Sequence, residues 1–278
     1  MISRLNKDTA FCMSISARPS HFGIRFHNFL YEELGLNFLY KSFAAQSPEA
    51  FDDGIRAMKS LGIRGCGISM PYKERALSWA DALSGAAEQI GAINTLVNEN
   101  GRLIGYNTDA LAIQSILKGI PLDRNSSTVL LLGSGGMARA IAWALKDSGF
   151  KNVRISSRNL ETGSRLSTDF SFSRVDSKNL PLADLLINAT PIGMAPHHQE
   201  GDPIPFSREQ IASAKWVIES VASPAETRLV RLSKEAGKSV ITGFEITILQ
   251  AAEQFCLYTG TRPSSEAVRR AAVSASSF

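Results

Sequence analysis

Thr128-Val129-Leu130-Leu131-Leu132-Gly133-Ser134-Gly135-Gly136-Met137-Ala138 is the stretch that decides the fold. Residues 128–132 form an apolar run without polar alternation, the pattern of a strand buried on both faces of a parallel sheet. Gly133, Gly135 and Ala138 then fit the spacing G-x-G-x-x-A, and residues 138–146 read as a helix. Alone the glycine spacing is unspecific, and an ordinary glycine-rich turn is the alternative. Set between a buried strand and a helix, it predicts a dinucleotide loop. The glycines let backbone approach a pyrophosphate, whose charge sits on the helix N-terminus. Gly133, Gly135, Gly136, Met137 and Ala138 are therefore candidate cofactor residues.

Downstream, short apolar runs recur at 153–155, 185–188, 216–218 and 240–241, mostly separated by helical stretches. That alternation predicts a doubly wound α/β domain. The run at 153–155 leads into Ser156-Ser157-Arg158-Asn159, where an NAD enzyme places the acid that grips the ribose 2′-hydroxyl. No acid stands there. Ser157 and Arg158 instead offer donors to a 2′-phosphate, which favours NADP(H). The alternative for Arg158 is a solvated surface charge, and Glu161 close by would oppose a phosphate if it pointed inward.

Upstream, strands and helices also alternate. Residues 9–16, 38–44 and 63–70 read as strands, and the Asn-Gly of Glu99-Asn100-Gly101-Arg102 predicts a hairpin turn between 94–98 and 103–107. Phe22, Phe26, Phe29, Leu30 and Leu34 recur at helical spacing before Gly35. Ser47-Pro48-Glu49 is a helix start, with a capping hydroxyl and an acid facing the dipole. Phe51, Ile55, Met58 and Leu61 supply its buried stripe, and Gly62 its stop. A further helix at 110–118 and a polar linker at 121–127 precede the glycine-loop domain, and the chain is helical again from about Phe244. The expected organisation is a first domain over 1–108, rejoined by 244–278, and a Rossmann domain over 109–243.

With 278 residues, 44% hydrophobic and 20% charged, the chain has ordinary globular composition for two cores. The net charge of +4 is scattered, with no basic run or basic–aromatic stripe, so no nucleic-acid partner is expected. A mild positive balance suits an anionic substrate and a phosphate-bearing cofactor. Cys12, Cys66 and Cys256 have no metal or CxxC spacing and are expected as reduced, mostly buried thiols. His21, His27, His197 and His198 suggest no metal site, and His197-His198 reads as a polar loop. Trp79, Trp143 and Trp216 read as core residues. No apolar stretch is long enough for a membrane helix and no leader pattern is seen, so the cytoplasm is the default expectation. No G-x-S-x-G elbow or Cys–His arrangement argues for hydrolysis.

Ketone–alcohol interconversion needs a group that exchanges a proton while hydride moves at carbon. Lys73 follows a strand end and Asp109 stands at a helix start, but residue physics alone leaves them a surface charge and a helix cap. Ser14 and Ser16, two apart on a strand, share a face.

Taken together, Ser14-Ile15-Ser16, Pro71-Tyr72-Lys73, Ala92-Ile93-Asn94-Thr95, Asn107-Thr108-Asp109, the glycine loop, Asn188-Ala189-Thr190-Pro191-Ile192-Gly193-Met194 and Gln250-Ala251-Ala252 resemble the shikimate dehydrogenase family. The resemblance spans nearly the whole chain and is nearer to the shikimate dehydrogenase-like branch. It implies reversible reduction of 3-dehydroshikimate to shikimate by NADPH in the chorismate pathway of aromatic amino acid biosynthesis. It makes Lys73 the catalytic lysine and Asp109 its acidic partner. Ser14, Ser16, Ser69, Asn94 and Gln250 become substrate ligands, Ser69 standing where the family usually has threonine. Thr190 and Gly243 join the cofactor set.

Two departures stand out. Ala17-Arg18-Pro19-Ser20 and further residues separate the serine pair from His27-Asn28, so Ser20 or Arg18 has room to join a carboxylate clamp. Ala222 replaces a tyrosine common in the family, a lost hydrogen bond worth about 1 kcal/mol. The competing expectations are therefore quinate or another cyclic polyol acid as substrate, and an NADP-sensing binding protein with vestigial activity. Monomer and homodimer both remain open.

Overall fold

The computed structural model describes residues 5–195 and 203–276. His197 and His198 lie outside the described residues. The chain divides into two compact units. One runs to Thr108 and resumes at Ile248, and the other runs from Asp109 to Thr247.

In the first unit a six-stranded sheet is built from β1 (Ala10–Ser16), β2 (Phe38–Ala44), β3 (Gly65–Ile68), β4 (Ala82–Leu83), β5 (Thr95–Glu99) and β6 (Arg102–Tyr106). Its order is β2-β1-β3-β5-β6-β4. β1 pairs in parallel with β2 and β3, while β5 runs antiparallel to both β3 and β6. The turn between β5 and β6 has Asn100 and Gly101 both at positive φ, as its Asn-Gly predicts. α1 (Phe22–Glu33), α2 (Pro48–Ser60) and α3 (Gly85–Ile90) fill the connections. The Ser47 hydroxyl accepts from Ala50 N at the start of α2, with Pro48 in the first turn.

Phe51, Ile55 and Met58 are fully buried, but Leu61 is 75% exposed, against expectation. The helix ends at Ser60, and Leu61 leaves helical geometry at its C-terminus, so its side chain falls off the buried stripe. Leu34 is exposed for the same reason, lying just past Glu33. Only Trp143 of the three tryptophans is buried. Trp79 is half-buried because its Nε1 donates to Asp52 Oδ1 at 2.8 Å, and Trp216 is half-buried at the start of its strand. Cys12 and Cys66 are buried, Cys256 is half-buried, and all three are free thiols.

The second unit holds β7 (Thr128–Leu132), β8 (Asn152–Ser156), β9 (Ser173–Arg174), β10 (Leu185–Asn188), β11 (Trp216–Glu219) and β12 (Ser239–Ile241). The order β12-β11-β10-β7-β8-β9 is parallel throughout. It reverses between β7 and β10, the switch point of a Rossmann sheet. α4 (Thr108–Gly119) leads into this unit, and α5 (Gly136–Asp147), α6 (Leu160–Phe170), α7 (Arg208–Ser213) and α8 (Arg228–Glu235) link its strands. α9 (Gly243–Thr259) carries the chain back to the first unit, where α10 (Ser265–Ser276) packs on α1. The two-residue strands β4 and β9 escape sequence reading because they are too short to show a period. No helix of the described residues is long and apolar enough to cross a membrane.

The stripe on α2 gives a direct test. Phe51→Ala is expected to cost about 3–5 kcal/mol in urea unfolding, whereas Leu61→Ala costs under about 0.5 kcal/mol. Equal losses would mean that α2 packs through a different face.

Candidate functional site

In the first unit the candidate substrate residues gather where β3 ends and β5 begins. Asn94 sits there because its backbone carbonyl accepts from Ile68 N at 2.7 Å and its N–H donates to Tyr106 O at 3.0 Å. Its side-chain Oδ1 accepts from Thr108 N at 2.8 Å, Thr108 Oγ1 at 3.0 Å and Thr95 Oγ1 at 3.0 Å. The oxygen is fully used, so the Nδ2 hydrogens are what Asn94 has to offer a ligand. Gln250 Nε2 donates to Thr108 Oγ1 at 3.1 Å, and Gln254, one turn along the same helix, donates to Thr95 Oγ1 at 2.9 Å. Asn94 and Gln250 are thus brought together through Thr108. Sequence reading missed Thr108 and Gln254 as members of this cluster. The i, i+4 spacing of two glutamines on one helix was the available signal.

Ser14 donates to Ser42 Oγ at 2.8 Å, its register partner on β2. Ser16 is buried, and Ser69 is exposed just beyond β3. Behind Ser14, the Tyr40 hydroxyl and Gln254 Nε2 both lie 3.1 Å from where a Gly67 Cβ would stand. Asn28 holds Tyr40 by accepting from its N–H and donating to its carbonyl, both at 2.9 Å. His27 stacks on the Tyr40 ring at 4.3 Å, and burial drives its pKa down to about 3. His27-Asn28 therefore shores up β2 from within the core. Ser20 and Arg18 are exposed in the segment after β1.

Lys73 is half-buried in the turn after β3, with its carbonyl accepting from Ile93 N at 3.4 Å. Asp109 is buried in the first turn of α4, directly after Thr108.

In the second unit Gly133 has φ +121°, and a Cβ there would stand 2.6 Å from the Ala189 carbonyl oxygen. Only glycine allows β7 and β10 to leave the sheet this close together. Gly135 and Gly136 differ, since a Cβ on either would meet nothing within 4 Å. Their glycines leave open space above the start of α5. That helix has no side-chain cap and no acid in its first turn, so its N–H groups remain available to an anion. Met137 is half-buried and Ala138 buried against the sheet. Ser157 donates to the Asn159 carbonyl at 2.7 Å, and Arg158 is exposed beside it.

Thr190 is fixed by Asn188, whose Oδ1 accepts from Thr190 N at 3.0 Å and Thr190 Oγ1 at 2.6 Å. Asn188 Nδ2 donates in turn to Ile192 O at 3.2 Å and Glu219 Oε1 at 2.8 Å. Glu219 also accepts from Val221 N at 3.0 Å and Thr227 Oγ1 at 3.0 Å. Gly243 packs on this same segment, where a Cβ would stand 2.3 Å from the Val221 carbonyl oxygen. Ala222 is exposed next to it. Glu219 was not foreseen, because a lone acid at a strand end carries no sign of being buried.

Among the described residues no cluster of side chains could hold a metal ion. A family model described as the shikimate dehydrogenase substrate binding domain matches residues 20–96. A shikimate dehydrogenase-like protein of Haemophilus influenzae is 44% identical over 268 residues, covering 96% of this chain and 97% of its own length. The chain belongs to the shikimate dehydrogenase family. A shikimate dehydrogenase (NADP(+)) of Carboxydothermus hydrogenoformans is 33% identical, covering 88% of this chain and 89% of its own. The crystal structure of shikimate 5-dehydrogenase from Thermus thermophilus in complex with NADP(H) and shikimate superposes with a TM-score of 0.84. It is 31% identical and covers 96% of this chain and 99% of its own.

Burial pushes the Glu219 carboxyl up to about 7, against the donors that surround it. The folded chain therefore holds this proton more tightly than the unfolded chain. The stabilisation is complete below the ordinary carboxyl value of 4.5 and is lost as pH rises through about 7. Between about pH 5 and pH 8 the wild type should lose on the order of 2 kcal/mol relative to Glu219→Gln, measured by urea unfolding. Parallel pH profiles for the two proteins would remove Glu219 as the titrating group.

Proposed function

We propose that this protein is an NADP-dependent shikimate dehydrogenase, reducing 3-dehydroshikimate to shikimate and running the reverse oxidation. The observation that carries the reading is one chain holding both an amide-and-hydroxyl cluster around Asn94 and a glycine loop open above an uncapped helix. The first suits a polyhydroxylated ring. The second suits a pyrophosphate, with Arg158 and no acid at the end of β8 to receive a 2′-phosphate. Membership of the family, and the named activity of the Carboxydothermus relative, support the same assignment.

NADP(H), when bound, supplies or accepts the hydride. Gly133, Gly135, Gly136, Met137 and Ala138 would hold its pyrophosphate, Ser157 and Arg158 its adenosine end, and Thr190 and Gly243 its nicotinamide end. Lys73 gives a proton to the carbonyl oxygen of the substrate as that oxygen becomes an alkoxide, and takes it back in the oxidation. Asp109 accepts a hydrogen bond from the neighbouring ring hydroxyl and balances the lysine charge. Asn94, through Nδ2, and Gln250 orient further hydroxyls, while Ser14, Ser16 and Ser69 receive the carboxylate side of the ring.

A second reading keeps the chemistry and changes the ring acid to quinate or another cyclic polyol acid. It is favoured by Ala222 standing exposed where the family commonly has tyrosine, and by the Ser14 hydroxyl already donating to Ser42.

Initial rates followed at the NADPH absorbance band, over a grid of shikimate and quinate with NADP+ and NAD+, separate these readings. Turnover with shikimate and NADP+ is expected, and Lys73→Ala should lower kcat by about 10²–10⁴-fold while NADPH binding persists. Unchanged turnover in Lys73→Ala would end the proton-transfer assignment, and a clear NAD+ preference would end the cofactor assignment. Turnover with quinate alone would select the second reading.

A further inference from the structure

Arg139 on α5, Arg165 on α6, Arg158 in the turn after β8 and Arg174 on β9 divide into two kinds. Arg139 in the first turn of α5 and Arg165 on α6 both lean on one carboxylate, Asp169, at 2.9 Å and 4.0 Å. Arg158 and Arg174 have no acid or hydrogen-bond partner among the described residues. A guanidinium without a counter-ion beside a candidate cofactor loop has charge and donors to spend on a ligand.

Arg174 is far from Arg158 in sequence, but the sheet brings it to the same turn. β9 lies in parallel beside β8, with Arg174 level with Ile155, and Val175 N donates to the Ile155 carbonyl at 2.9 Å. Arg174 thus stands at the carboxyl end of its strand, next to the turn that carries Ser157 and Arg158. Its side chain points along that edge. A Cβ on Gly163 would stand 2.0 Å from Ser157 Oγ and 3.8 Å from Arg174 Nε. Gly163, in the first turn of α6, is the gap in which the serine hydroxyl and the guanidinium approach one another. Any larger residue would expel Ser157.

Of the other polar groups of the turn, the Ser156 hydroxyl is buried without a partner and Glu161 is an exposed acid in the first turn of α6, while the rest are engaged. Asn159 Oδ1 accepts from Thr162 N as the cap of α6, and Thr162 Oγ1 is 2.7 Å from Ser134 Oγ of the glycine loop. Ser157 spends its proton on the Asn159 carbonyl. Arg158 and Arg174 are the exposed cations of this turn, and they outnumber the one acid beside it, Glu161, in charge offered to a dianion with several acceptor oxygens.

We propose that Arg174 is a specificity-determining residue which, with Arg158, forms a two-arginine clamp for a phosphate monoester on the ribose 2′ position. This deepens the NADP reading and rests on it. One arginine comes from the loop after β8 and the other from the end of the neighbouring strand, so the phosphate is held from two sides. Arg174 is the part invisible to a loop-based reading.

The test is calorimetric binding of 2′,5′-ADP and 5′-ADP to wild type, Arg158→Gln, Arg174→Gln and the control Arg165→Gln. Thermal melts establish that each variant is folded. Arg174→Gln should weaken 2′,5′-ADP by about tenfold or more and 5′-ADP less than twofold, with a matching rise in KM for NADP+. Arg165→Gln should bind both as wild type does. If Arg158→Gln weakens 2′,5′-ADP while Arg174→Gln stays within twofold of wild type, the clamp is overturned and the NADP reading stands. If wild type binds the two nucleotides equally, the NADP reading itself falls and the clamp with it.

Discussion

Two buried asparagine carbonyls hold the loops on which the candidate residues stand. In the first unit, Asn94 Oδ1 takes both the N–H and the hydroxyl of Thr108. In the second, Asn188 Oδ1 takes both the N–H and the hydroxyl of Thr190. Strand ends in the middle of a sheet leave backbone groups that neither neighbour nor solvent satisfies. A short amide side chain at each end substitutes for the missing ladder partner and fixes where the next residues go. Thr108 leads directly to Asp109, and Thr190 opens the segment after β10.

Each anchor is itself anchored. Asn94 is supported by Gln250 and Gln254 through the two threonines, Asn188 by Glu219. Burying a carboxyl such as Glu219 is costly unless donors surround it, and three side-chain and backbone donors do. A partly satisfied network of this kind would be worse than an apolar core, so its members stand or fall together. Close packing of backbone adds a second constraint. Gly133 against Ala189 and Gly243 against Val221 leave no room for a methyl group. At Gly135 and Gly136 a Cβ would meet nothing within 4 Å, so no packing within the chain requires glycine there.

Local signals were readable in the chain where one residue type answers one local need. The buried run at 128–132, the Ser47-Pro48 helix start and the Asn100-Gly101 turn stand where their chemistry predicts. Leu61 fits the apolar spacing of α2 and yet lies in solvent, because the helix stops one residue before it. Trp79 reads as core and instead keeps one edge toward Asp52, a partner that only folding supplies. The candidate site divides the same way. The glycine loop, Ser157 and Arg158 follow from a strand–loop–helix pattern. Thr108, Gln254 and Glu219 do not, since each matters through a partner distant in sequence.

By itself, then, the sequence determined the order of the longer strands and helices, the glycine loop between β7 and α5 and the family to which the chain belongs, because each is written in contiguous residues or in their spacing. Tertiary structure alone decided which polar side chains are spent on one another and which remain for a ligand. Asn94 keeps only its Nδ2 hydrogens, and Asn188 has its whole amide engaged. Arg139 is neutralised by Asp169, whereas Arg174 is carried by parallel pairing to the turn beside Ser157. The reason is that hydrogen bonds and charge pairs are settled by proximity in space, and proximity between strands is not encoded within any one of them.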